Sequence, residues 1–286
     1  MRTTTFNVRL TAALLLSLAL AAGCSEEDGS FTLGGHRYTG ESLTQWALPR
    51  GLQEVSGLAL DPAGRLFAHA DEAAIIFELD YRDGRALKRF ALGTPPLTGD
   101  FEGIAWVDNR LYLVTSEGDL LAAPEGADGE HVAYELHRTG LGRRCEIEGL
   151  DYDPDRRVLL MACKTAREKA LKRQIAVLAW SVERRAPAPE HDVVVPWEQA
   201  RGSSGPFHPS GLTRSPSDGH LILAAARQRA LIELAADGSL VQPFPLPDPE
   251  AHPQLEGIVM TLAGELIVAD EGQSRRGRLG VYRPIH

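Results

Sequence analysis

Ser56-Gly57-Leu58, Glu102-Gly103-Ile104, Glu148-Gly149-Leu150, Ser210-Gly211-Leu212 and Glu256-Gly257-Ile258 are five copies of one phrase. The steps between successive copies are 46, 46, 62 and 46 residues. A period of that size marks a repeat architecture, in which each unit buries its apolar face against its neighbours.

Within each period, short runs of Val, Ile, Leu, Phe and Tyr alternate with Gly, Pro, Asp and Asn, the texture of strands and tight turns. The first unit unpacks into Gly57–Asp61, Leu66–Asp71, Ala74–Asp80 and Ala86–Leu92. The second gives 103–107, 110–116, 120–124 and 131–137, and the third gives 149–153, 158–164, 175–182 and 192–197. The fourth gives 211–214, 220–227, 231–235 and 240–246. Turn signals such as Asp108-Asn109 and Asp237-Gly238 support the hairpins.

The fifth unit has three runs before the chain ends, and Leu43–Leu48 is expected to supply its fourth strand. A ring closed by its own N-terminal strand leaves no edge unpaired. The expected fold is therefore all-β, a five-bladed β-propeller closed by an N-terminal outer strand. A six-bladed ring would hide a degenerate blade in the 62-residue step. Loops at 165–174 and 184–191 account for that surplus and favour five.

With 286 residues and 43% hydrophobic content, the chain can bury a large core. Its formal charge of -9 gives no basic footprint for nucleic acid. Arg2 and Arg9 precede an apolar run, Leu10 to Ala22, that is too short to span a bilayer and has the makeup of a signal peptide. The run ends Leu20-Ala21-Ala22-Gly23-Cys24, which resembles a bacterial lipobox. That resemblance implies cleavage before Cys24 and lipidation of Cys24, with an ordinary secretory signal as the alternative. Ser25, where inner-membrane retention wants Asp, implies a periplasm-facing lipoprotein of the outer membrane. The expected organisation is a signal peptide at 1–23, a lipidated tether at 24–42 and one propeller domain at 43–286.

Cys145 and Cys163 flank a hairpin whose turn is Asp153-Pro154-Asp155-Arg156, which brings them nearly opposite each other. In an oxidising compartment they suit a disulfide; buried free thiols are the alternative.

The ordered set Ser-Gly-Leu, Asp-Phe-Glu-Gly-Ile (100–104), Glu-Gly-Leu-Asp-Tyr-Asp-Pro (148–154), Pro-Ser-Gly-Leu and Pro-Gln-Leu-Glu-Gly-Ile (253–258) resembles the SdiA-regulated, YjiK-like family. Asp71-Glu72 and Lys164 belong to the same resemblance, while Arg227-Gln228 stands where an acidic residue is more usual. The resemblance spans the mature domain and implies a five-bladed propeller of the bacterial envelope.

Propeller geometry gathers the residue before each Gly, and the end of each second strand, around one mouth. Strand starts bring Ser56, Glu102, Glu148, Ser210 and Glu256 there, and second-strand ends bring Asp71, Glu72, Ser116, Glu117, Lys164, Arg227, Asp270 and Glu271. Clustered carboxylates need a cation or protons to coexist, and hard oxygens without paired His or Cys suit Ca²⁺ or Mg²⁺. Glu102, Glu148 and Glu256 are accordingly the candidate ligands of Ca²⁺. The alternative is that they clasp neighbouring blades through backbone amides. Ser56, Asp71, Glu72, Glu117, Lys164, Ser210, Arg227 and Asp270 are candidates for ligand contact.

Arg167, Lys169, Lys172, Arg173, Arg275, Arg276 and Arg278 form a basic rim on the same face, suited to steering an anion or simply solvated. No nucleophile elbow, Walker loop, zinc motif or dinucleotide fingerprint is present in the sequence. Three expectations follow. The first is an anchored monomer that binds a small molecule or protein at its mouth. The second is a metal-dependent phosphoesterase or lactonase with His208 or Glu271 as base, His252 being a further lone histidine near the mouth. The third is a structural envelope module using its outer edges.

Overall fold

The computed structural model describes residues 30–199, 206–245, 250–272 and 274–285. The expected signal peptide and the expected lipidation site, Cys24, lie outside the described residues. The described chain folds into five antiparallel blades in a ring, a five-bladed β-propeller.

The inner strands are Val55–Leu60, Phe101–Val107, Cys145–Asp153, Gly211–Arg214 and Leu255–Met260, one for each copy of the phrase. Each touches the next, and the fifth touches the first. Blade 5 is completed by Leu43–Ala47, which pairs antiparallel with Arg278–Tyr282. The closure expected from the sequence is therefore present, joining the two ends of the chain in one sheet.

The core lies between blades. Five buried clusters each combine side chains of two neighbours: Phe67 and Ile76 of blade 1 meet Leu111 and Leu121 of blade 2, for example. Both faces of every blade are covered this way, so the strands read as near-continuous apolar runs. Each fully buried Leu, Ile or Phe stabilises the ring by roughly 1.5–3 kcal/mol relative to exposure.

Close approach at the axis explains the glycines. A Cβ on Gly103 would lie 2.6 Å from the backbone nitrogen of Leu150 in the next blade. Gly149 adds a positive φ of +104° and meets Leu212 of blade 4.

Two details differ from the expectation. The stretch 131–137 is divided: Glu135–Arg138 is the outer strand of blade 2, while His131–Val132 pairs parallel with Arg85–Leu92. The crossing piece covers an otherwise open edge of blade 1. Residues 30–39, expected in the tether, form a hairpin of Ser30–Leu33 with His36–Thr39. Leu33 and Tyr38 are fully buried in the cluster between blades 4 and 5, so this segment belongs to the folded domain.

Cys145 and Cys163 form the expected disulfide, with Cα atoms 5.6 Å apart. It ties the mouth end of blade 3's inner strand to its neighbour.

Candidate functional site at the propeller mouth

In four blades the residue before the glycine falls at a β-bulge. The ladder skips Ser56, Glu102, Glu256 and, in blade 3, Glu148 with Gly149. A bulge leaves its extra residue unpaired and re-aims its side chain. This is the local reason that three glutamates leave their blades and face one opening. The glutamates are legible in the repeated phrase; the bulges are not, because a bulge adds a residue without altering apolar alternation nearby.

Glu102, Glu148 and Glu256 interact electrostatically around Lys164, whose ammonium donates to Oε1 of Glu148. The other oxygen of that carboxylate, Oε2, is buried without a hydrogen-bond partner. Burial raises all three carboxyls. Repulsion from Glu148 and Asp100 raises Glu102 further. Lys164 opposes the rise at Glu148. Glu256 is pushed up to about 8, against the pull of Lys164. Three carboxylates face one ammonium, leaving two negative charges unmatched when all are ionised.

The bonds seen between blades run through serine hydroxyls rather than through the backbone amides of the expected clasp. The Ser56 hydroxyl donates to Glu102 across the blade 1–2 boundary at 3.1 Å. The Ser210 hydroxyl donates to the Leu255 carbonyl across the blade 4–5 boundary at 2.6 Å and accepts from the Ala226 amide. The serines therefore join blades, whereas Glu148 is held by a lysine of its own blade.

A cavity of about 210 Å³ opens beside this cluster, lined by Lys164, His208, Ser210, Arg227, Gln254 and Glu256. The axis beneath it, at Gly57, Gly103, Gly149, Gly211 and Gly257, narrows to about 10 Å³, room for one water at most. The mouth is consequently a blind cup. Arg227 is exposed at its wall and is the arginine among the residues that line it.

Other candidates separate. Asp71 is half-buried, its carboxyl raised by burial and by Glu54 and Glu72, with Oδ1 unpartnered. Glu271 is raised by burial and by Glu54 and Asp71, and accepts a hydrogen bond from Gln254. Glu72 is exposed beside them. Asp270 is fully buried and bonds to His252 Nδ1 at 2.7 Å, with Tyr282 on the other ring nitrogen, a structural chain within blade 5. His208 lines the cavity, but its Nδ1 bonds the Lys164 carbonyl at 2.8 Å. Glu117 is drawn outward into a bidentate pair with Arg167, both contacts 2.6 Å.

That pair also bears on the basic rim. Arg167 is matched by Glu117 and Arg173 by Glu198, and Arg276 donates to the Leu48 carbonyl. Exposed pairs of this kind contribute little, and they neutralise part of the expected collar.

The sequence reading missed Glu54 and Gln254, two residues before their blades' phrase residues. The same offset gives Asp100, Glu146 and His208 in the other blades. Asp100 and Glu146 repel Glu102 and Glu148, so a second polar set was legible by extending the phrase upstream.

Among the described residues, the one group of three metal-type ligands with atoms within 4.8 Å of one another is Asp218, His220 and Glu233. It lies on the opposite face, where Glu233 accepts from His220 at 2.7 Å and from the Gly34 amide at 3.3 Å. These bonds hold the N-terminal hairpin. The glutamates at the mouth lie within electrostatic reach of each other but outside one coordination shell.

No protein-family model matches the chain, and no curated protein matches it in sequence. Solved structures do resemble it. The glutaminyl cyclase of Myxococcus xanthus aligns with a TM-score of 0.57 at 17% identity, over 84% of this chain and 94% of that one. The PQQ-bound aldose sugar dehydrogenase of Streptomyces coelicolor aligns with a TM-score of 0.54 at 17% identity, over 84% and 98%. A luciferin-regenerating enzyme aligns at 0.52 and 10% identity, over 85% and 96%. At such identities the likeness concerns the propeller fold alone.

Proposed function

We propose that the chain is a lipid-anchored, periplasm-facing propeller that binds a small anionic ligand in its central cup, with Ca²⁺ drawn in by Glu102, Glu148 and Glu256. The SdiA-regulated, YjiK-like resemblance is consistent with this envelope role, as is the disulfide, which persists in an oxidising compartment. The anchor is the lipid on Cys24, and the unit is a monomer.

One observation carries the reading: three bulge-borne glutamates, Glu148 buried and Glu102 and Glu256 partly so, face a single lysine, and one carboxylate oxygen there has no partner. A divalent cation would match the two unmatched charges. Hard oxygen ligands suit Ca²⁺ or Mg²⁺, and Ca²⁺ is the ion that tolerates irregular, adjustable geometry. The fit requires the carboxylates to draw together, which the ion's charge favours and their mutual repulsion otherwise opposes. Arg227 and Lys164 then offer positive charge to an acid group in the adjoining cavity.

Melting curves test the two halves separately. Ca²⁺ is expected to raise the melting temperature and chelator to reverse it. Small carboxylates and phosphomonoesters are expected to add a further shift that Arg227→Ala loses while keeping the Ca²⁺ shift. Absence of any Ca²⁺ shift contradicts the metal, and absence of any ligand shift contradicts the cup.

A further inference from the structure

We infer that the propeller sits with its closed face against the membrane and its mouth turned away from it, so that its ligand arrives from the aqueous side. The inference rests on the lipid-anchor part of the proposed function. Its own support is where the chain enters the fold.

The N-terminal hairpin contacts the face opposite the mouth, at the turns that follow the inner strands of blades 4 and 5. Ser217 Oγ donates to the Gly34 carbonyl at 2.8 Å, in the turn after Gly211–Arg214. Tyr38 OH donates to the Gly264 carbonyl at 2.6 Å, in the turn after Leu255–Met260. Arg37 bridges to Ile285, beyond the closed-face end of the last strand. Leu33 and Tyr38, buried with Met260 and Tyr282, fix the hairpin in place. The covalent path from Cys24 therefore reaches the domain on the closed face.

Five residues, 25–29, separate Cys24 from Ser30. At ~3.5 Å per residue those six steps span at most about 20 Å. The blade strands are themselves about 15–20 Å tall at ~3.3 Å per residue. A fully extended tether of that length is used up in climbing the strands alone, with nothing left to pass the loops that rise around the mouth. The closed face also presents Leu262, 83% exposed, two residues from the Gly264 carbonyl that Tyr38 binds.

The consequence concerns ligand class. A cup facing away from its own bilayer takes a water-soluble or cell-wall-borne molecule, and lipids of the anchoring membrane do not reach it.

The test uses the full lipidated chain in phosphatidylethanolamine–phosphatidylglycerol vesicles that carry an acceptor dye on the headgroups. A donor is attached at Leu262→Cys on the closed face or at Arg275→Cys in the exposed loop on the mouth face. Vesicle flotation is read alongside energy transfer. The expected result is co-flotation with transfer several-fold stronger from position 262 than from 275. Co-flotation with equal transfer, or with the order reversed, overturns the orientation and leaves the anchor standing. Failure to co-float overturns both. Inserting a long Gly-Ser segment after Glu27 is expected to abolish the difference between the two positions; a difference that survives the insert overturns the tether argument.

Discussion

The Lys164 ammonium holds one oxygen of Glu148 and leaves the other buried without a partner. This half-satisfied pair sets the electrostatics of the mouth, since Glu102 and Glu256 also face the same lysine. Removing one member of a buried pair is costly because it strands the other, whereas removing both is far milder. Lys164→Met should therefore lose about 1–3 kcal/mol at pH 8 in denaturant titrations. The double variant Lys164→Met/Glu148→Gln should recover most of that loss. A single variant as stable as the parent contradicts the pairing.

Stability should depend on pH with a definite sign. The folded protein holds the Glu256 carboxyl up at about 8, mainly through burial, while the unfolded chain releases that proton in the ordinary carboxylate range. The fold thus binds the proton more tightly. The stabilising contribution is complete below the unfolded value and is lost as pH rises toward 8. In chelator, the melting temperature should fall between pH 5 and pH 8, and Glu256→Gln should flatten that slope. A slope unchanged in the variant would show that other groups cause it.

Crowding at the axis predicts intolerance of a single methyl. Gly103→Ala places a Cβ against the Leu150 backbone, which cannot turn aside as a flexible side chain would. Overpacking of this kind costs about 1–3 kcal/mol or more. Loss of folded yield or a large drop in denaturation midpoint is expected. An unchanged midpoint would mean the blades can separate at no cost.

The disulfide closes a loop of 18 residues, and its removal by Cys145→Ala/Cys163→Ala should cost about 3 kcal/mol. Unfolding in the presence and absence of reductant reads the same quantity in the parent protein.

The ring was legible because its signal repeats: five copies of one phrase count the blades, and Leu43–Ala47 lies in sequence where a closing strand must. Glu102, Glu148 and Glu256 were legible for the same reason. Their bulges were not, since the register of a ladder depends on the partner strand as much as on the local pattern. Glu117 illustrates a different limit. Its position at a strand end placed it at the mouth, but Arg167, fifty residues away, draws it outward. The hairpin at 30–39 did carry a signal, the Gly34-Gly35 pair between two short runs, both residues adopting positive φ. Polar surroundings made the segment read as tether, and only packing on blades 4 and 5 shows otherwise.

Calorimetric titration of Ca²⁺ into the purified domain at pH 7.5, repeated in buffers of different ionisation enthalpy, tests the central claim most directly. The account predicts binding accompanied by proton release, because the glutamates are raised by burial and give up protons to the ion. It also predicts affinity weakened about tenfold or more, ~1.4 kcal/mol, in Glu148→Gln. Absence of binding, or binding with unchanged affinity in Glu148→Gln and no proton release, would contradict a cation site at the mouth.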